Sequence, residues 1–340
     1  MNNMFMKSKM TVGLVVLIFS LCSCTADANK VSESSMFLMD TSVTMKMEGN
    51  NSDCYEYMNK LKELDSIFSN LYKNSSKNGE NENYDENSRL VINDVLEKTS
   101  SLNDTYGNRI NVSCGALNNA WGISTETPHV PDADTLSVAM KNITDTDYCD
   151  NDVNMFPQGV YPDFGSVAKG YSCDIVKTML DQNNYDGYAL VNMGSSSLIY
   201  GKKPDGTLFN AAITNPDGGA YLGFITTKQC FISTSGAYER NFEDNGKIYS
   251  HILDIKTGYP VETDLSSVTV ICPFNNNNTS GISSDFLSTL IFMEGTANLD
   301  KYLAKDNFYV VASDKNKNVY ISKGINFTLN EESGYKLVQQ

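Results

Sequence analysis

Imidazole is the scarcest reactive group in this chain of 340 residues, which holds two histidines, His129 and His251. Few groups can therefore carry a proton near neutral pH. No two cysteines have the CxxC spacing, which disfavours structural zinc and thioredoxin-like redox chemistry. Long apolar runs are also missing. The longest, Thr11–Leu21, has about eleven residues, whereas a membrane-spanning helix needs about 20.

Positive charge is in short supply as well. There are 26 lysines and arginines against 41 aspartates and glutamates, a formal net charge of -15. An acidic surface repels phosphate backbones, so we expect no nucleic-acid partner. A phosphate-containing ligand would need local compensation, which a bound divalent cation supplies. Hydrophobic residues make up 41% of the chain, which indicates a globular protein.

The first 24 residues have the form of an export signal. Two lysines precede the apolar run Thr11–Leu21, and Leu21-Cys22-Ser23-Cys24 follows it. This ending resembles a bacterial lipobox. We expect residues 1–23 to be a signal peptide, Cys24 to carry the lipid, and residues 24–35 to be a polar tether. The mature protein would lie outside the cytoplasm, attached to the cell membrane by its lipid anchor. An uncleaved span is the alternative, disfavoured by the short run.

The rest, residues 36–340, reads as one α+β domain with a mostly antiparallel sheet core and a helical region in its first half. An alternating pattern predicts an opening strand over Met36–Gly49. Helical spacing predicts a helical lobe at about 54–145, and regular turn signals predict a sheet-rich lobe at about 160–322. The predicted helices are Cys54–Tyr72, Arg89–Leu102, Thr135–Ile143 and Asp285–Met293. The later strands include Cys230–Thr234, Ile248–Ile255 and Ser267–Cys272.

One candidate site is the stretch Asp163–Asp174, DFGSVAKGYSCD. Gly165 permits close approach of the backbone to a ligand. Ser166 falls at a predicted helix start, where free N–H groups favour anions, and Lys169 can reach a phosphate from the first turn. The alternative is an ordinary strand-to-helix corner with a solvated lysine.

A second candidate is Ser283–Thr289, SSDFLST. Asp285 and Thr289 are four residues apart, so a helix places them on one face. A carboxylate and a hydroxyl there can both bind Mg²⁺ or Ca²⁺, which prefer oxygen ligands. The alternative is that Asp285 caps the helix.

The third candidate is His251, between a short apolar strand and the turn Lys256–Pro260. A rigid scaffold often presents a reactive group at such a strand end. A buried histidine that only satisfies the core is the alternative. His129 lies between prolines, and we expect it to be a solvated loop residue.

Seven short sequence motifs occur along the chain, and their order indicates a protein family more specifically than any single motif does. They are Met39-Asp40-Thr41, the region of Trp121, Asp163–Asp174, Val191-Asn192-Met193-Gly194, Ser235–Arg240, Tyr249–Pro260 and Ser284–Thr289. Their order resembles that in the ApbE-type FAD:protein FMN transferases, formerly called thiamine biosynthesis lipoproteins. The resemblance covers roughly Phe37 to Gly295, and it implies an ApbE-like fold with FAD in a cleft.

The resemblance also implies a reaction and a site. FMN would pass from FAD to a threonine hydroxyl of another protein, with Mg²⁺ bound and AMP released. By the family pattern, His251 would be the general base. Asp285, Thr289 and the backbone carbonyl of Ser166 would hold Mg²⁺. The positions aligned with FAD contacts are Met39, Arg109, Ile110, Asn111, Asp163, Lys169 and Ile252. The acceptor would be an exported subunit of an electron-transfer complex.

The sequence departs from the family pattern in four places. An aromatic residue often found after the first helix aligns with Leu71, although Tyr72 is adjacent. The family's Met-Gly-Thr is Met39-Asp40-Thr41, a small-aromatic-Asp element aligns with Arg109-Ile110-Asn111, and the usual Gly-Gly-Asp is Gly194-Ser195-Ser196. Two alternative functions follow. One is an FAD pyrophosphatase that releases FMN and AMP without an acceptor. The other is a flavin-binding lipoprotein without catalytic activity.

Overall fold

The computed structural model describes residues 30–49, 51–75, 85–107, 109–123, 125–143, 160, 162–274 and 280–338. The predicted signal peptide and Cys24 lie outside the described residues. No helix within these ranges combines the length and apolar character that crossing a membrane requires.

Helices dominate the first half of the described chain and strands the second. The helices are α1 (Asn51–Ser75), α2 (Glu86–Tyr106), α3 (Gly115–Trp121), α4 (Ala133–Lys141), α5 (Ala168–Gln182), α6 (Gly281–Glu294) and α7 (Asp300–Leu303). The strands are β1 (Val31–Leu38), β2 (Thr41–Glu48), β3 (Ala189–Met193), β4 (Ser196–Tyr200), β5 (Phe209–Ile213), β6 (Gly223–Thr227), β7 (Cys230–Gly236), β8 (Asn241–Asp244), β9 (Lys247–Ser250), β10 (Leu253–Asp254), β11 (Tyr259–Pro260), β12 (Leu265–Pro273), β13 (Tyr309–Asp314), β14 (Asn318–Ile321), β15 (Phe327–Leu329) and β16 (Lys336–Leu337).

The main sheet has nine strands in the order β1-β2-β3-β4-β7-β12-β13-β14-β16. Its neighbours pair antiparallel, except that β14 and β16 pair parallel. A second sheet has the order β15-β6-β5, and β8–β9 and β10–β11 form two small hairpins. The prediction of an α+β fold with a mostly antiparallel sheet is confirmed.

The alternation of side chains along the central strands builds two cores, one on each face of the main sheet. Leu198 and Phe231 belong to the larger core, which also contains residues of α1, α2, α5 and α6. Their neighbours Ile199 and Ile232 belong to the second core, which the three-stranded sheet covers. The order of layers is therefore helices, main sheet and small sheet.

Helix α6 lies in the middle of the larger core, and its residues from Gly281 to Met293 are all buried. Buried polar groups need partners, and two serines of α6 find them on β7. The Ser284 hydroxyl lies 2.7 Å from that of Ser233, and the Ser288 hydroxyl lies 2.9 Å from that of Ser235. A polar seam therefore joins α6 to β7 inside an otherwise apolar layer.

Helices α5 and α6 touch through their backbones at Gly170 and Gly281. A Cβ atom at Gly170 would lie 2.1 Å from the carbonyl oxygen of Gly281, which is closer than atoms can approach. We expect Gly170→Ala to lower the free energy of unfolding by roughly 1–3 kcal/mol, because the backbones must separate. Urea unfolding monitored by circular dichroism measures this change.

Thr178→Ala is the matched control, since Thr178 is exposed on the same helix. We expect its effect to stay within about 0.5 kcal/mol. Equal stability of the two variants would contradict the close packing of α5 on α6.

The predicted opening strand over Met36–Gly49 is wrong, because this region is the hairpin of β1 and β2. Its turn residues Met39 and Asp40 have φ of 50° and 56°, as the favoured two-residue hairpin turn requires. The usual Asn-Gly signal is absent, so the sequence pattern hides the turn. The Met39 amide donates to Asp65 Oδ1 at 2.8 Å, which ties the turn to α1. Strand β1 begins at Val31 and overlaps the predicted tether, residues 24–35, because Ser32 to Ser35 pair with β2.

The predicted strand Ile248–Ile255 is broken at His251. Strand β9 ends at Ser250 and β10 begins at Leu253, so His251 and Ile252 lie between two hairpins. The polar strand β8 pairs with β9, although its composition gives little strand signal. His251 therefore lies in a loop outside the paired strands, and loop contacts hold it in place.

Candidate active site

The beginning of α5 lies against the middle of α6, which brings two of the predicted sites together. The Gly170 amide donates to Asp285 Oδ2 at 2.9 Å. The backbone of Lys169 and the side chain of Ser196 also hydrogen bond to the Asp285 carboxyl, which is 4% exposed. Asp285 therefore projects from α6 towards the first turn of α5, and it does not cap α6. That cap is Ser280, whose side chain accepts from the Ser283 amide.

Burial raises the pKa of Asp285, while the Lys169 charge and the hydrogen bonds from Gly170, Ser196 and Lys169 oppose that rise. A buried carboxylate is costly unless a positive charge stands beside it. Asp285 is therefore suited to hold a cation.

Thr289 lies one turn further along α6 on the same face, as the spacing predicted. Its hydroxyl is 3.1 Å from that of Ser235 and donates to the carbonyl of Asp285 at 3.3 Å. A hydroxyl that donates to a carbonyl keeps lone pairs for a cation. Asp285 and Thr289 thus offer two oxygen donors from one helix.

Ser166 lies two residues before the start of α5. In a regular helix the Gly170 amide would bond to the carbonyl four residues earlier, that of Ser166. Here that amide donates to Asp285. Within the described part of the chain, no hydrogen bond reaches the Ser166 carbonyl, so this oxygen is left for another partner.

The donors gathered at this junction fit a hard divalent cation, since carboxylate, hydroxyl and carbonyl are all oxygen ligands. The described residues contain no cluster of three or more histidine, cysteine, aspartate or glutamate side chains able to hold a metal. A cation bound at Asp285 therefore depends on additional oxygens from water or from a ligand phosphate, which is the usual situation for Mg²⁺.

Lys169 brings the positive charge of the site. Its ammonium donates to the Ser195 hydroxyl, in the turn between β3 and β4. Its charge acts on the pKa of Asp285, of Glu239 and of His251, so these groups share one electrostatic environment. The Lys169 ammonium, in the same environment as these groups, is suited to bind a phosphate group of a ligand.

A small cavity of about 20 Å³, with room for about one water molecule, lies beside Ser195, between the main sheet and β5–β6. Ser197, Thr214, Thr234 and Thr269 are among the residues that line it. The cavity therefore adjoins the residue that holds the Lys169 ammonium.

His251 is held through both its backbone and its ring by one carbonyl. Its amide donates to the Arg240 carbonyl at 3.1 Å, and Nδ1 lies 3.0 Å from the same oxygen. A carbonyl only accepts, so Nδ1 must carry the hydrogen and Nε2 must carry the lone pair. Burial, together with the charges of Arg240 and Lys169, lowers the pKa of His251 to about 4, although the hydrogen bond to the Arg240 carbonyl opposes that fall. The ring is a neutral base at Nε2.

Trp121 anchors the two hairpins on either side of His251. Its indole nitrogen donates to the Gly258 carbonyl at 2.8 Å. Its ring packs against Phe242 and Tyr249 of the β8–β9 hairpin, with ring centroids 6.3 and 5.5 Å away. The motif around Trp121 thus positions His251.

The predicted FAD contacts are spread around this region. Met39 lies at the β1–β2 turn, with its sulfur 3.8 Å from the Ser172 hydroxyl of α5. Asp163 accepts from the amide of Gly165 at 2.7 Å and from the side chain of Asn118 at 2.6 Å. Ile252, next to His251, is 9% exposed.

The segment from Arg109 to Asn111 has structural partners of its own. Arg109 forms an ion pair with Asp254 of β10 at 3.4 Å. Ile110 is buried in the larger core, so its side chain does not line an open surface. Asn111 accepts from the Ser113 amide and hydroxyl at 2.8 and 2.6 Å. The segment links α2 to the β10–β11 hairpin.

Arg240 and Asp40 join the β1–β2 turn to the segment that carries His251. The Arg240 guanidinium lies 3.4 Å from both the carboxylate and the carbonyl oxygen of Asp40. The aspartate that replaces the family's glycine therefore makes a contact that glycine could make only through its backbone.

Sequence reasoning missed Glu239 as a residue of this site. Its Oε1 atom is buried and has no hydrogen-bond partner among the described residues. Burial raises the pKa of Glu239 to about 7; Lys169 opposes that rise, Asp285 adds to it, and Arg240 opposes it. The only signal for this residue was its place in the motif Ser235–Arg240.

Known proteins resemble this chain over most of its length. The model of the ApbE family matches residues 39–311. The chain is 27% identical over 333 residues to the FAD:protein FMN transferase of Haemophilus influenzae, covering 91% of this chain and 93% of that protein. It is 31% identical over 241 residues to that of Klebsiella pneumoniae, covering 67% of this chain and 71% of that protein.

Solved structures are similar as well. The ApbE protein of Thermotoga maritima superposes with a TM-score of 0.69 at 22% identity, covering 89% of this chain and 98% of that chain. The apo flavinyl transferase ApbE of Pseudomonas stutzeri also gives 0.69 at 22% identity, covering 91% and 97%. These likenesses establish that the fold is shared.

Proposed function

Since the chain belongs to the ApbE family, we propose that it transfers FMN from FAD to a threonine hydroxyl of an acceptor protein, with Mg²⁺ bound and AMP released. Transfer of FMN from FAD to protein is the activity named for its curated relatives, and this chain is an enzyme of that type. We add to that activity that the bound metal is Mg²⁺ and that the acceptor residue is a threonine.

The observation that carries the proposal is the meeting of α5 and α6 at Asp285. That contact puts oxygen donors from α6 beside the beginning of α5, with the Lys169 ammonium next to them. Phosphoryl transfer needs mostly positioning and charge neutralisation, and this junction supplies both. A bound Mg²⁺ would neutralise charge on the diphosphate.

His251 supplies the remaining requirement, a proton acceptor. The hydroxyl oxygen of the acceptor threonine forms a bond to the phosphorus of the FMN half. The bond from that phosphorus to the bridging oxygen breaks, and AMP leaves with the electron pair. The hydroxyl proton passes to Nε2 of His251, whose lone pair is kept available by the Nδ1 hydrogen bond.

FAD would lie with its diphosphate within reach of the Lys169 ammonium, which now donates to the Ser195 hydroxyl. Met39, Ile252, Asp163 and the segment 109–111 would contact other parts of the dinucleotide. The sequence beginning suggests a protein exported and anchored by lipid at Cys24. An acceptor outside the cytoplasm, such as a subunit of an electron-transfer complex, fits that location.

The direct test mixes the purified mature chain with FAD, Mg²⁺ and a flavin-acceptor domain that carries the threonine. A covalent fluorescent band on a denaturing gel, with one AMP released per flavin attached, supports the proposal. AMP release without acceptor would indicate the pyrophosphatase alternative. FAD binding without any Mg²⁺-dependent turnover would indicate the flavin-binding alternative.

A further inference from the structure

One carboxylate oxygen of the half-buried Glu239 is buried without a partner, in the electrostatic environment of the candidate cation site. Glu239 Oε1 has no hydrogen-bond partner among the described residues, and the same holds for the hydroxyl of its neighbour Tyr238. An unsatisfied buried acceptor costs free energy, so it calls for an explanation. A ligand that brings a hydrogen-bond donor would provide one.

The position of Glu239 restricts what that donor can be. Glu239 lies in the segment Ser235–Arg240, and both ends of this segment contact proposed site residues. At one end the Ser235 hydroxyl bonds with Thr289, and at the other the Arg240 carbonyl holds His251. Along the chain, Glu239 therefore lies between a contact to a proposed cation ligand and a contact to the proposed base.

Glu239 shares the electrostatic environment of Asp285, and no hydrogen bond joins the two among the described residues. The charges of Asp285 and Lys169 both act on the Glu239 carboxyl. The described residues nevertheless show neither an ion pair nor a hydrogen bond between Glu239 and Lys169 or Asp285, and no cluster of three metal-binding side chains. A direct role as one of several carboxylate ligands is therefore disfavoured.

Mg²⁺ characteristically keeps several waters when proteins bind it, and carboxylates beyond the direct ligands accept hydrogen bonds from that hydration shell. We propose that Glu239 is such an outer carboxylate: its buried oxygen accepts a hydrogen bond from a water on the cation held by Asp285 and Thr289. Glu239 is then a positioning residue. This inference rests on the proposed function, because it assumes the cation site.

The test measures cation affinity directly, with Mn²⁺ alone as the probe. Free Mn²⁺ is followed by electron paramagnetic resonance as it is added to the folded mature chain. We expect Glu239→Gln to raise the Kd for Mn²⁺ by about 10–100-fold, the usual loss for an outer-shell partner. Glu243→Gln is the matched control, since it removes one negative charge four residues away at an exposed position. We expect it to change the Kd less than about two-fold.

A second readout separates positioning from structural support. Glu239→Gln removes a buried charge that has no partner in the metal-free protein, so the Tm without metal should stay the same or rise. A merely structural role would lower both the Tm and the affinity, which would overturn the inference.

Asp285→Asn separates this inference from the proposed function. If Asp285→Asn weakens Mn²⁺ binding and Glu239→Gln behaves like Glu243→Gln, the inference fails and the proposed site stands. If Asp285→Asn leaves the Kd unchanged, or the unaltered chain does not bind Mn²⁺, the site and the inference fail together.

Discussion

Asp285→Asn is expected to lower the rate of FMN transfer by roughly a thousand-fold, which corresponds to about 4 kcal/mol of lost transition-state stabilisation. The substitution removes the one acidic side chain among the proposed cation ligands. Asparagine keeps an oxygen that can accept the Gly170 amide, which now bonds to Asp285 at 2.9 Å. The packing of α5 on α6 should therefore survive. The rate is measured in single turnover as covalent flavin fluorescence at saturating FAD.

Asp174→Asn is the matched control, because Asp174 is a second acidic residue between the same helices. Its two carboxylate oxygens accept the amides of Gly281 and Ile282 at 2.6 and 2.9 Å, at the beginning of α6. We expect this variant to lose about 1–3 kcal/mol of stability and to keep most of its transfer rate at low temperature. If Asp285→Asn retained transfer while binding Mg²⁺ as the unaltered chain does, the proposed cation site would be wrong.

Elements with a strong repeating pattern were predictable from the sequence. The spacing of Asp285 and Thr289 placed them on one face of a helix, and the structure confirms that placement. Most antiparallel strands of the second half were found at nearly their observed bounds, although β8 was missed and the predicted strand Ile248–Ile255 is split between β9 and β10. The longer helices were also found, although α1 and α2 extend further at both ends than the pattern indicated, whereas the short helices α3 and α7 were missed.

Contacts between distant segments were not predictable, because no local pattern encodes them. The Gly170 amide reaches Asp285 across 115 positions of the chain. The hairpin turn at Met39 and Asp40 uses two residues that seldom adopt positive φ, so no turn signal marks it. Glu239 becomes visible only once burial and the lack of a partner are known. For these features, the order of the sequence motifs indicated which parts of the chain form the site. The contacts between those parts became known only from the structure.

The two histidines of the chain allow a sharp test of the base. His251→Ala is expected to lower the rate of FMN transfer by about 10²–10⁴-fold, the usual contribution of a general base. The Kd for FAD, measured by flavin fluorescence, should change little, because the ring is held by the Arg240 carbonyl and its free Nε2 serves the acceptor. His129→Ala is the control. His129 is exposed and its ring bonds only locally, to the Thr127 carbonyl at 3.1 Å.

The pH dependence of this comparison follows from the lowered pKa of His251. With a pKa of about 4 the ring stays neutral, and so able to accept a proton, from pH 8 down to pH 5. The rate of the unaltered chain divided by that of His251→Ala should therefore stay nearly constant over this range, since effects on other groups cancel in the ratio. A ring with the ordinary pKa of about 6.5 would be mostly protonated at pH 5, and the ratio would fall roughly 30-fold. Such a fall would show that burial does not hold the ring neutral, whereas equal rates for the two histidine variants would remove His251 from the reaction.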